Sequence, residues 1–269
     1  FDFNTYAHDP RTHFMNWALM NSGAWDYAAN TRGYTSGIYI GYSQPKFDVK
    51  FSFAAVPTSA NGPVLDYQYD KAHGINLELT KSLRFSKNLS GTYRVLVYHN
   101  QAGMGNYDLA NQMGKPDLVA TRQDFRSKDG FSLNGELGYK EDWGIFGRYS
   151  WNDGKNETWA FTEIDESISL GMHFWGKLWN RKNDYAGIAW VRNGLSAPHQ
   201  RFQQLGGMGF MIGDGNLNYG GEHIIESFYQ FQATPNVFLT PDYQFIVHPG
   251  YNIDRGPVHV LSLRVHTEF

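Results

Sequence analysis

From Val260 to Phe269 apolar and polar side chains take turns along the chain. Leu261, Leu263, Val265 and Phe269 fall on one side, and Ser262, Arg264, His266 and Glu268 on the other. Side chains in a strand alternate with a period of two, so this stretch reads as a strand with one oily and one charged face. The last residues of a chain are commonly frayed. A pattern kept up to Phe269 predicts a strand paired along its whole length, and in a closed sheet its partner would be the first strand.

The same two-faced pattern recurs upstream and limits the fold to a sheet set between two environments. Ile38, Ile40 and Tyr42 alternate with Tyr39 and Gly41, and after Gln44-Pro45 so do Phe47, Val49, Phe51 and Phe53 with Asp48, Lys50 and Ser52. The short break between them predicts a hairpin. Ile75, Leu77 and Leu79 oppose Asn76, Glu78 and Thr80; Tyr93, Val95 and Val97 oppose Arg94, Leu96 and Tyr98. Further strands are read at Phe131 to Tyr139, with Ser132, Asn134 and Glu136 on the polar face, and at Trp143 to Trp151, with Arg148 on it. Ile168 to Phe174 follow, then a less regular stretch at 183–192, read with Tyr185, Ala189 and Val191 outward. Ile225, Tyr229 and Phe231 oppose Glu222, Glu226 and Gln230, and Leu239 to Val247 oppose Thr240, Asp242 and Gln244. With the closing strand this makes about eleven.

The connections alternate between short and long, as in an up-and-down meander whose two ends face different surroundings. Long loops are expected at 99–129 and 193–220. A long structureless loop counts against a compact soluble domain, whereas in a barrel long loops gather at one end and fold inward. Residues 1–33 have no clean period and place Phe14, Trp17, Leu19 and Trp25 among Asn, Asp and Gly. They are read as a long packed loop or a barrel-internal segment, with one helical turn near Phe14 to Leu19. Residues 34–269 carry the strands, and the whole chain is one domain.

Two readings compete for such strands: a soluble β-sandwich and a membrane barrel. No run approaches the ~20 apolar residues of a membrane helix. A barrel strand crosses with about ten residues, half of them polar, so the mean hydropathy of -0.50 suits it. Tyr34, Tyr42, Tyr139, Trp143, Trp151, Trp175 and Trp190 sit near strand ends, where interfacial girdles would place them. Charges in mid-strand, such as Glu78, Arg94, Glu136, Arg148, Glu226 and Arg264, require water on their side.

The stretches GFMIGDGNLNYGGEHIIESFYQFQ (209–232), LTPDYQFIVHPGYNIDRGPVHV (239–260) and the closing RVHTEF resemble the carbohydrate-selective porins of Gram-negative outer membranes, the OprB type. DPRTHFMNWALMNSGAWDYAANTRGYT (9–35) and YHNQAGMGNYDLA (98–110) fit the middle of that family. The resemblance implies an all-β, transmembrane, antiparallel up-and-down β-barrel of sixteen strands, of which this chain would supply 11–12 as its C-terminal part. It also implies an outer-membrane channel for passive, carbohydrate-selective diffusion of small sugars such as glucose. The expected partners are those sugars, outer-membrane lipid and lipopolysaccharide, with homotrimer and monomer both open.

A sugar path needs donors, acceptors and aromatic rings for the apolar face of the sugar. The inward positions offer Arg94, Arg148 and Arg264 with Glu78, Glu136, Glu226 and Asp242, and Tyr98 at a strand end; they either brace the wall or touch solute. Asp124, Arg126, Arg11 and Arg32 are candidates for a constriction, with Lys128 and Asp129 beside the first two. Asn252, Asp254 and Arg255 in HPGYNIDRGP read as turn-capping groups.

Other functions find little support. With 23 Lys and Arg against 26 Asp and Glu, nothing points to nucleic acid. No Cys is present, no HExxH occurs, and the ten His are scattered, so neither metal nor cofactor is implied. Gly213-Asp214-Gly215 lacks the lysine and helix of a phosphate loop. Glu222 and Glu226 stand about 13 Å apart along a strand, too far for a glycosidase pair. A soluble, lectin-like sandwich is the alternative function, with a glycan-acting enzyme behind it.

Overall fold

The computed structural model describes residues 1–160 and 162–268. Eleven strands form one antiparallel sheet in strict sequence order: β1 (Gly37–Gln44), β2 (Phe47–Ala54), β3 (His73–Arg84), β4 (Leu89–Ala102), β5 (Arg126–Tyr139), β6 (Trp143–Asn152), β7 (Glu166–Trp175), β8 (Tyr185–Gly194), β9 (Glu222–Thr234), β10 (Val237–Val247) and β11 (Val258–Thr267).

Local chemistry fixes the turns at one end. Pro45-Lys46 joins β1 to β2 with Gln44 opposite Phe47. Lys140 takes a left-handed φ of 50° at the start of the three-residue link between β5 and β6. The remaining links at this end are 85–88, 176–184 and 235–236. The other end carries the long ones: 55–72, 103–125, 153–165, 195–221 and 248–257.

The expected long loops differ from the observed ones. The 99–129 stretch is overestimated, because β4 continues to Ala102 and β5 starts at Arg126. Gln101, Ser127 and Lys128 are polar on both faces, so no apolar period marks them as strand, yet the ladder pairs Gln101 with Ser127 and Asn100 with Lys128. Tyr98 consequently lies within β4 and not at its end. The longest connection is 195–221, which contains the helix α3 (Ala197–Gln204).

β11 does not close onto β1. Among the described residues β11 pairs with β10 alone and β1 with β2 alone. In a meander the first and eleventh strands point the same way, so joining them would set two parallel strands into an antiparallel sheet. Phe269, the end of the expected pattern, lies outside the described residues.

The outer face is apolar and exposed from β3 to β11, with Leu77, Leu79, Val95, Val97, Leu133, Ile168, Leu170, Leu261 and Leu263 all open. Tyr139 stacks on Trp143 at 5.8 Å at the short-turn end, and Phe131 meets Trp151 at the other. The inner face is buried and polar, and what buries it is residues 1–30. On β8 the expected facing is reversed: Ile188 points outward and is exposed, while Ala189 and Val191 are buried inside. They join Phe146, Ile224 and Phe228 in a core against Tyr6, Ala7, Phe14, Ala18, Leu19 and Ala24 of the opening segment. The pattern misleads there because an inner position covered by protein takes small apolar side chains as readily as polar ones.

Candidate functional site: the segment folded onto the inner face

The opening segment holds one short helix, α1 (Trp17–Met20), whose first turn is capped when Asn16 accepts from the Ala18 amide at 3.1 Å. The rest is irregular, so its backbone groups need partners from outside. The inward side chains of the strands supply them.

Arg148 on β6 donates from Nη1 to the Leu19 carbonyl at 2.8 Å and from Nη2 to the Ala7 carbonyl at 2.6 Å, and lies 3.4 Å from the Asp2 carboxylate. Glu136 on β5 accepts from the Thr5 amide at 2.8 Å and its hydroxyl at 2.9 Å, and pairs with Arg94 of β4 at 3.3 Å. Glu78 on β3 accepts from the Asp2 amide and from Lys50 Nζ at 2.8 Å. Glu226 on β9 receives the amides of Met15 at 2.5 Å and Asn16 at 3.0 Å. Arg264 on β11 donates to the carbonyls of Pro10 and His13, each at 2.8 Å. Tyr98 Oη donates to the Ala24 carbonyl at 2.7 Å. Asp242 on β10 is buried beside Gln244, which in turn accepts from Asn16. Seven of the eight inward residues picked from alternation therefore bond directly or through an ion pair to the segment, and Asp242 reaches it through one neighbour.

Tyr6 shows how closely the segment fits. Gly138 and Gly144 face each other across β5 and β6, and a Cβ on Gly144 would come within 2.3 Å of the Tyr6 ring. Gly144→Ala is expected to cost about 1–3 kcal/mol by overpacking, because ring and wall cannot both stay in place. A lower temperature for loss of the folded, fast-migrating band in detergent gels would register it, and an unchanged one would contradict the fit.

The four residues considered for a constriction do not converge. Arg11 is exposed and pairs with Asp9 at 3.3 Å, and Arg32 is exposed. Asp124 is exposed in a long loop, whereas Arg126 donates to the carbonyls of Met104 and Thr121 at 2.7 and 2.6 Å and so clips that loop. Lys128 and Asp129 are β5 residues, Lys128 buried 3.7 Å from Asp26. Burial pushes the Asp26 carboxyl up, with Lys128 and the amides of Trp159 and Ala160 working against that.

The long-loop end is tied down separately. α3 packs on α2 (Tyr107–Asn111), with His199 stacked on Tyr107 at 4.2 Å and hydrogen-bonded to Asp165 at 2.9 Å. Burial acts to raise the Asp165 carboxyl, but His199 and Lys128 carry it below the usual range. Asn252 donates to Asp214 at 2.9 Å and Arg255 pairs with the same carboxylate at 2.6 Å, so that turn clamps the neighbouring long loop.

Between the segment and β1 lies a cavity of about 530 Å³. Phe1 meets Trp25 and Tyr39 edge-on at 6.2 and 5.9 Å, and Trp25 meets Tyr27 at 5.6 Å, giving a run of rings along it. Asn21, Asn76, Ser52 and His8 line it with hydrogen-bonding groups. Trp25 Nε1 donates to Asn76 Oδ1 at 2.9 Å, which fixes the indole. Trp17, half exposed, lines this cavity and a smaller one of about 260 Å³ toward the long loops, bordered by Glu163 and Glu222. Burial pushes the Glu163 carboxyl up. Alternation did not single out Phe1, Trp17, Trp25 and Tyr27, because they sit in the aperiodic segment; their density there, four rings among residues 1–27 that line one cavity, was the available signal.

A scan against family models matches residues 1–269 to the carbohydrate-selective porins, OprB family. The chain belongs to that family. No curated protein matches it. The high-pH structure of Pseudomonas putida OprB matches all of this chain and 67% of its own, at 19% identity and a TM-score of 0.73. The low-pH structure of the same protein matches 87% of this chain and 55% of its own, at 16% identity and a TM-score of 0.50. OprD, an outer membrane protein of Pseudomonas aeruginosa, matches 90% of this chain and 61% of its own, at 10% identity and a TM-score of 0.51. At these identities the likeness is one of fold, and the chain spans 55 to 67% of these relatives.

As a member of the OprB family the protein is a porin of the Gram-negative outer membrane and a channel, not an enzyme. Its apolar outer face is the lipid side, its polar inner face the lumen side, and residues 1–30 pack against that inner face. Short turns of such barrels face the periplasm and long loops the exterior.

Proposed function

We propose that this porin passes small neutral sugars such as glucose by passive diffusion, along the aromatic-lined cavity between the opening segment and β1. Residues 1–269 act as one barrel domain in this reading, with residues 1–33 as its internal, narrowing segment. The single observation that carries it is the make-up of that cavity. Rings of Phe1, Trp25, Tyr27 and Tyr39 offer faces and edges to the C–H side of a sugar, and Asn76, Asn21 and Ser52 stand within the same space to trade hydrogen bonds with its hydroxyls. The charged wall residues act as anchors: they are spent on the segment, and they shape the path without meeting the solute.

A ring that covers the C–H face of a sugar takes apolar surface out of water, worth about 25 cal/mol per Å². Trp25→Ala is therefore expected to reduce glucose-driven swelling of proteoliposomes several-fold relative to an ion of similar size, with the folded band in detergent gels retained. Equal swelling by glucose in variant and wild type, in a folded barrel, would remove Trp25 from the path and with it this account of selectivity.

A further inference from the structure

At the short-turn end three neighbouring turns enclose a groove of about 480 Å³, lined by Lys46, Arg84, Lys87 and Lys140 together with Ser82, Ser86, Ser90 and Asn88. No carboxylate lines it, in a chain whose net charge is -3. Asp48, Glu141 and Asp142 lie nearby in sequence, yet none of the described ion pairs involves any of the four cations, all of which are exposed.

The cradle is rigid. The Ser82 amide donates to the Lys46 carbonyl at 3.0 Å and the Lys140 amide to the Asn88 carbonyl at 2.8 Å, lacing the hairpin tip to the turn on either side. Arg84 donates from Nε to the Ser86 carbonyl at 3.3 Å and from Nη2 to the Lys87 carbonyl at 3.2 Å, and Ser86 Oγ accepts from the amides of Asn88 and Leu89, each at 3.2 Å. Lys140 Nζ lies 5.3 Å from the Tyr139 ring centroid. Four like charges on residues that line one concavity repel one another, a cost that an anion between them removes.

We propose that this groove is a phosphate-binding subsite at the periplasmic mouth of the porin. A phosphate ester presents several charged acceptor oxygens, which suits three ammonium groups, a guanidinium and hydroxyls better than a neutral sugar does. The groove lies at the membrane edge, so the ester comes either from an anionic phospholipid of the inner leaflet or from a soluble phosphate compound in the periplasm.

The test uses the full-length porin in neutral detergent and has two arms. One titrates inorganic phosphate, read by broadening of its phosphorus NMR line. The other reconstitutes the porin into nanodiscs of mixed phosphatidylglycerol and phosphatidylcholine and reads by native mass spectrometry which lipid is retained. Lys46→Gln with Lys140→Gln is expected to weaken binding roughly fivefold for each lysine removed, while Lys46→Arg with Lys140→Arg retains it. Binding in the first arm assigns a soluble phosphate compound; retention of phosphatidylglycerol in the second alone assigns the lipid. Should the glutamine pair fail to fold, salt titration of the wild type decides, since binding to such a site must fall as salt rises. Wild type that binds neither probe, glutamine variants that bind as well as wild type, or binding insensitive to salt would each overturn the proposal.

Discussion

Arg148→Ala is expected to release the opening segment from the wall and widen the channel. Its guanidinium holds the carbonyls of Leu19 and Ala7 and lies beside the Asp2 carboxylate, all deep inside. Removing it leaves two carbonyls without a donor and a buried carboxylate without its cation. Breaking a buried pair in this way costs about 3–5 kcal/mol. The sheet is held by its own backbone ladder, so the loss falls on the segment. Single-channel conductance should rise, and proteoliposomes should swell in a disaccharide that the wild type excludes. A folded variant with wild-type conductance and the same size limit would mean that Arg148 does not hold the segment in place. Arg264→Ala, which frees the Pro10 and His13 carbonyls of the segment and the Thr240 hydroxyl of the wall, should give the same change in smaller measure.

Leu170→Arg is expected to have the opposite character: the barrel itself suffers and the channel does not widen. Leu170 is an exposed outer-face residue midway along β7, paired with Gly147 and Trp190 on its neighbours. A cation at that depth costs about 2–4 kcal/mol. The neighbouring Ser169 points inward and is buried, so a conservative change there touches no lipid. Denaturant midpoints for refolding into bilayers should fall for Leu170→Arg. A midpoint equal to wild type would show that this face does not meet hydrocarbon.

The two substitutions mark how far the residues could be read in advance. Leu170 lies in a run where Ile168, Leu170 and Met172 alternate with Ser169 and His173, and that rhythm alone assigns its side of the sheet. Arg148 could be placed on the inner side by the same rhythm, but its partners could not be foreseen. They are main-chain carbonyls of residues 129 and more positions away, and a carbonyl carries no mark of the side chain attached to it. The strands at 183–192 show the limit from the other direction. Ala189 and Val191 look like lipid-facing residues in a barrel whose lumen is assumed to be water. They turn inward because Phe14 and Leu19 of the segment replace that water with protein.

What the amino-acid sequence determined by itself was the two-sided wall: eleven strands, their order, the faces of those other than β8, and short turns at one end with long loops at the other. These follow from a period of two and from turn residues, which are local properties that each stretch expresses without knowing the rest. Only the tertiary structure decided what the inner charges bond to and where a cavity is left. Residues 1–30 have no period of their own, and their position is set by hydrogen bonds to strands scattered from β3 to β11. The cavity is the space those bonds leave between Trp25, Tyr39 and Asn76, and such a remainder exists only once the segment and wall are packed together.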